Sequence, residues 1–185
     1  MQKLFLGLLI IIGFTSNAQS SALDKGFSVL HIDAKMADVK KYLIAADTAS
    51  LLDMNNKEWI GSMITSAWTL DLKKAKAETF HGLTVLRIEV YFDGEQDANG
   101  KPQDENIFSF VIWLEKPDKE LEQKFTDELF NEYGDAVPET SPDGMAAALG
   151  WFSHITLMNV SFGADMETGE HQNFFLVRLD QGYGG

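Results

Sequence analysis

Three alternating runs in the middle of the chain constrain its fold more than any other feature. From Ile64, the residues Ile64, Ser66, Trp68, Leu70 and Leu72 alternate with Thr65, Ala67, Thr69 and Asp71. Residues 83–92 repeat the pattern with Leu86, Ile88, Val90 and Phe92 at even positions, and a third run does so with Phe108, Phe110, Ile112 and Leu114. Strand side chains alternate between faces, so antiparallel neighbours that share a core must pair even with even. One register does this by facing Phe92 with Phe108, Ile88 with Ile112 and Leu86 with Leu114, around a hairpin loop centred on Gly100. The same register puts Val85, Arg87, Glu89 and Tyr91 opposite Glu115, Trp113, Val111 and Ser109 on the odd face.

The flanking segments complete an outline. Met36, Val39, Leu43 and Ala46 recur at helical spacing, which predicts a helix over 34–46 with Asp33 as N-cap. Phe27 to Ile32 reads as a short extended stretch, and Lys73 to Lys76 as a basic turn. Leu121, Phe125, Leu129 and Tyr133 form an i, i+4, i+8, i+12 stripe between Asp118, a helix-starting residue, and Gly134, a helix-ending one. Asp135–Gly150, with Pro138, Pro142 and Asp143-Gly144, reads as a long loop in which 145–149 could form a helical turn. Trp151–Phe162 and Asn173–Asp180 read as two further strands joined by a turn at 164–169. The prediction is an α+β fold whose mainly antiparallel sheet has about five strands, a meander plus a C-terminal hairpin, packed with two helices. No internal repeat or linker divides residues 19–185, so they are expected to form one domain.

Residues 1–18 read as an address. Lys3 precedes an apolar run from Leu4 to Phe14, and Ser16 and Ala18 occupy the −3 and −1 positions of a cleavage site. The run spans about 16 Å as a helix against a hydrocarbon core of about 30 Å. A cleavable signal peptide, cleaved after Ala18, predicts a periplasmic or secreted protein with no membrane insertion after signal removal. The chain has no cysteine, which removes disulfides, thiol nucleophiles, thiolate metal sites and a lipidated cysteine. Its net charge of −13 argues against nucleic acid as a partner, because phosphate binding needs clustered Lys and Arg.

Few motifs carry chemistry. Glu95, Asp97, Asn99 and Gly100 mimic part of a calcium loop, but Asn106 stands where a bidentate Glu is needed, so no metal is assigned. His31, His81, His154 and His171 form no metal motif. A last-hairpin register centred on Glu167 sets His154 beside Asp180 and Arg178 opposite Thr156, a His–Asp pair without a nucleophile. No Gly-x-Ser-x-Gly elbow or phosphate loop is present, and no cofactor is implied. The informative feature is the odd face, where Arg87 would lie over Trp113 with Glu89 and Glu115 nearby. Either the N-terminal helix or another segment covers it, making a three-layer sandwich, or it is an exposed aromatic patch for a peptide, glycan or protein. Together with Trp151 and Phe152, the stretch Asp135–Gly150 could wall a pocket beside the sheet. The candidate ligand-binding residues are Arg87, Tyr91, Trp113, Trp151 and His154. The expected function is non-catalytic binding of a protein or cell-envelope component; the alternatives are a hydrolase of an envelope polymer with unassigned carboxylates and a small-ligand carrier.

Overall fold

A computed structural model of the chain describes residues 22–45, 64–98, 102–140, 146–153, 155–162 and 174–182. The expected signal peptide, the segment 48–56, His154 and His171 lie outside the described residues. The described residues form nine strands: β1 (Leu43–Ala45), β2 (Ile64–Leu70), β3 (Thr79–Phe80), β4 (Leu83–Gln96), β5 (Pro102–Glu115), β6 (Val137–Thr140), β7 (Ala146–Phe152), β8 (Thr156–Ser161) and β9 (Phe174–Gln181). The helices are α1 (Met36–Val39), α2 (Leu72–Ala75) and α3 (Lys119–Tyr133), with a 3-10 turn at Lys40–Tyr42. All strand pairs are antiparallel, in the order β1-β2-β4-β5-β9-β8-β7-β6, with β3 on the free end of β4. The architecture is thus α+β and mostly antiparallel, but with nine strands where about five were expected.

The extra strands come from three segments whose sequence reads otherwise. The expected helix over 34–46 shrinks to α1 and the 3-10 turn, because Leu43 and Ile44 pair with Leu70 and Thr69 at the sheet edge. Cross-strand pairing there overrides a modest helical preference. The N-cap is Lys35, without a side-chain bond, rather than Asp33; Asp33 instead accepts a hydrogen bond from Gln181 Nε2 at 2.9 Å. The expected loop at 135–150 contains β6 and most of β7, which pair as a hairpin. The single run 151–162 breaks at Ser153, whose Oγ accepts the Thr156 N–H at 2.8 Å and so turns β7 into β8.

The central register follows the even-face pattern only between two bulges. Ile88 faces Ile112 and Val90 faces Phe110, but Phe92 faces Ile107 and Val85 faces Leu114. Each bulge inserts one residue and exchanges the faces beyond it. Val85 and Ile107 therefore enter the core, while Leu86 is 52% exposed. The last hairpin also differs from expectation. Thr156 pairs with Gln181, Leu157 with Asp180 and Asn159 with Arg178, which removes the expected contact of Asp180 with residue 154. The buried residues explain the shift: Met158 and Val160 of β8 share the core with Phe175, Val177 and Leu179 of β9, so even must pair with odd.

One face of the sheet, the inner face, receives both the helix and the N-terminal segment. Leu23, Leu30 and Ile32, together with Phe125 and Leu129 of α3, join Ile88, Phe110, Ile112, Phe175 and Val177 in one core. Asp118 caps α3 by accepting from Glu120 N and Leu121 N. The apolar stripe begins one turn late, since Leu121 is 46% exposed. The basic turn at 73–76 is instead α2 closed by Lys76 in the left-handed region, with Asp71 accepting from Lys74 N.

Candidate functional site

The opposite, outer face of the sheet carries the odd residues of β4 and β5. Cross-strand pairing arranges them in rows. Ala67, Tyr91, Ser109, Asp180, Leu157 and Phe152 form one row, and Thr69, Glu89, Val111, Arg178, Asn159 and Gly150 the next. Arg87, Trp113, Leu176 and Ser161 form a third. Among the described residues, the only apolar cluster on this face is made by strand side chains: Tyr91 and Val111 with Ala67, Trp113 and Leu176. The N-terminal segment expected as a cover packs on the inner face instead.

The polar groups of the outer face are largely paired along their own strands. Arg87 Nη2 lies 3.2 Å from Glu89 Oε1, and the Tyr91 hydroxyl donates to Glu89 Oε2 at 2.9 Å. Residues two apart on a strand share a face, which brings Arg87, Glu89 and Tyr91 into one line. Arg178 Nε donates to Asp180 at 2.8 Å by the same i, i+2 geometry. Glu89 is only 2% exposed, so its carboxylate depends on these two partners. Burial, followed by the charge and hydrogen bond of Glu89, raises the Tyr91 hydroxyl well above the ordinary phenol range. It therefore serves as a donor.

The Arg87 guanidinium stacks over the Trp113 ring at 3.9 Å, and the Phe174 ring meets Trp113 at 4.6 Å. Arg87 remains 42% exposed at its side chain, and Trp113 and Phe174 are half-buried. This end of the face, next to exposed Leu86, is the accessible one. Among the described residues, four shielded side-chain atoms have no hydrogen-bond partner: Arg87 Nε, Ser109 Oγ, Trp113 Nε1 and Asn159 Oδ1. All four belong to outer-face residues.

The sequence candidates therefore separate. Arg87, Tyr91 and Trp113 lie together on the outer face, with Tyr91 buried rather than presented. Trp151 lies in the inner core, where its Nε1 donates to the Gly134 carbonyl at 2.9 Å and its ring meets Phe130 and Tyr133. It pins the end of α3 to β7 and does not join the outer group. Ser109, Asn159, Phe174 and Arg178 complete the face and were not singled out by sequence. One available signal was that Arg87 and Arg178 are the only two arginines.

Two other clusters of polar side chains do not form a site. His81, in the β3–β4 turn, places Nδ1 3.7 Å from Glu128 and Nε2 3.6 Å from Glu132. The two ring nitrogens face different carboxylates, so the three groups do not converge on one point. No group of three His, Asp or Glu side chains suited to a metal ion occurs among the described residues. An open cleft of about 260 Å³ is lined by Lys35, Met36, Ala37, Lys40, Asp104 and Glu105; it is a shallow surface depression with two basic and two acidic side chains in its lining. No helix among the described residues is long and apolar enough to cross a membrane. Compared with protein-family models, curated proteins and solved structures, the chain matches none.

Proposed function

We propose that the protein is an exported, non-catalytic binding module that engages a protein or cell-envelope component through the outer face of its sheet. The observation that carries this reading is the Arg87–Trp113 stack at the accessible end of that face. Arg and Trp anchors that combine an aromatic surface with hydrogen-bond donors dominate many binding surfaces. Here both side chains keep a donor without a partner, and unpaired buried donors cost about 1–3 kcal/mol each. Export is supported by the charge, apolar run and cleavage pattern of residues 1–18.

Co-sedimentation with a washed cell-envelope fraction tests the binding reading. Wild type and a Leu121→Ala control on the helical side should pellet with the fraction, while Arg87→Ala and Trp113→Ala together should not. Equal sedimentation of all variants overturns it. Intact mass of the exported protein should show an N-terminus at Gln19, and retention of residues 1–18 would overturn the export claim.

A further inference from the structure

We infer that His81 is a proton-operated clasp that ties the C-terminal half of α3 to the β3–β4 turn. The clasp lies on the inner side of the sheet and is independent of the outer face. His81 and Gly82 make the turn with φ of 43° and 78°, in the left-handed region that glycine and asparagine adopt at least cost. A histidine held there is strained, and its side chain supplies the reason. That side chain is only 14% exposed. Its ring centre lies 4.6 Å from Phe80, 5.9 Å from Tyr133 and 6.3 Å from Phe125.

Among the described residues, the polar groups that meet the ring all come from α3. Nδ1 lies 3.7 Å from Glu128 Oε2, and Nε2 lies 3.6 Å from Glu132 Oε2 and 3.5 Å from the Tyr133 hydroxyl. Burial, then the charge and hydrogen bond of Glu132, raises that hydroxyl well above the ordinary phenol range. It keeps its proton and donates it to Glu132, so its oxygen meets Nε2 as an acceptor. Lys124, 3.9 Å from Glu128 Oε1, stands behind that carboxylate. Both ring nitrogens therefore face acceptors. A neutral imidazole has one N–H and one lone pair, so it serves one carboxylate and turns a lone pair on the other. The imidazolium donates at both nitrogens. The clasp holds α3 while the ring is protonated and loosens as rising pH removes the proton. Histidine is the side chain whose ordinary charge change falls between about pH 5 and 8.

Amide hydrogen exchange of the full chain at about pH 5 and about pH 8, corrected for intrinsic rates, tests this. On going to the higher pH, protection of residues 125–133 should fall about fivefold relative to residues 110–114 of β5, the size of a partly exposed ion pair. His81→Asn, which suits the left-handed turn but carries no charge, should abolish that fall. Glu128→Gln combined with Glu132→Gln should abolish it too, with the histidine and its turn intact. Equal protection of α3 at the two pH values, or the wild-type fall persisting in either variant, overturns the inference. A parallel fall in β5 also overturns it, because the whole fold and not the clasp would then be titrating. The double glutamine variant decides the matter if His81→Asn does not fold.

Discussion

The two faces of the sheet are built from the same strands, yet they obey different rules. On the inner face of β4 and β5, Ile88, Val90, Phe110, Ile112 and Leu114 are all apolar and essentially inaccessible, and α3 and the N-terminal segment pack onto them. On the outer face, the alternate residues of the same two strands carry a carboxylate, an arginine, a tyrosine, a serine and a tryptophan. One face maximises buried apolar area; the other retains paired charges and unpaired polar atoms at some cost to stability. That contrast is what motivates the proposal that the outer face is a binding surface.

Substitutions can break or sharpen this contrast. The largest effect is expected on the inner face, where Phe110→Ala should lower unfolding free energy by about 3–5 kcal/mol, read from chemical denaturation. A loss below 1 kcal/mol would show that the core does not centre there. Arg87→Met on the outer face keeps a long side chain over Trp113 but leaves Glu89 buried with Tyr91 alone. It should cost about 1–3 kcal/mol, and Glu89→Gln in the same background should recover part of that. Ser109→Ala, one residue from Phe110 but on the other face, should be neutral or stabilising by up to about 1 kcal/mol, since it removes a buried hydroxyl without a partner. A clear destabilisation would mean that the hydroxyl has a structural role.

The smallest effect is electrostatic. Burial, and then the charge of Asp33, raises the Asp93 carboxyl above its usual range despite its backbone hydrogen bond. A raised carboxyl favours the protonated form in the fold. Its contribution is therefore fully present below the unfolded carboxylate value and lost as pH rises through the folded one. Asp93→Asn should raise the melting temperature slightly at neutral pH, and the difference should vanish on acidification below about pH 4. A difference that grows in acid would reverse the sign of this argument.

Much of the inner face was readable because alternation is a local property. The pairings Ile88 with Ile112, Arg87 with Trp113, Glu89 with Val111 and Tyr91 with Ser109 all occur, and so does the helix from Lys119 to Tyr133. The bulges were not readable, because nothing in the composition around Leu86 or Ile107 announces one inserted residue. Strand formation at Leu43–Ala45 and Val137–Thr140 was hidden for a related reason. A short segment becomes a strand when an edge is available, and the edge is made by distant residues.

The sequence by itself determined that β4 and β5 pair with Arg87 opposite Trp113, that the chain lacks cysteine chemistry, and that α3 runs from a capping Asp118 to Gly134. Only the tertiary structure decided that nine strands share one sheet and that Trp151 belongs to the core. It also decided that Asn159 joins Ser109, Trp113 and Arg87 on that face, and that one atom of each is left unpaired. The first group depends on periodicity and on residues within a few positions of each other. The second depends on which strands become neighbours, and there a single bulge or a three-residue shift of register sends a side chain to the opposite face.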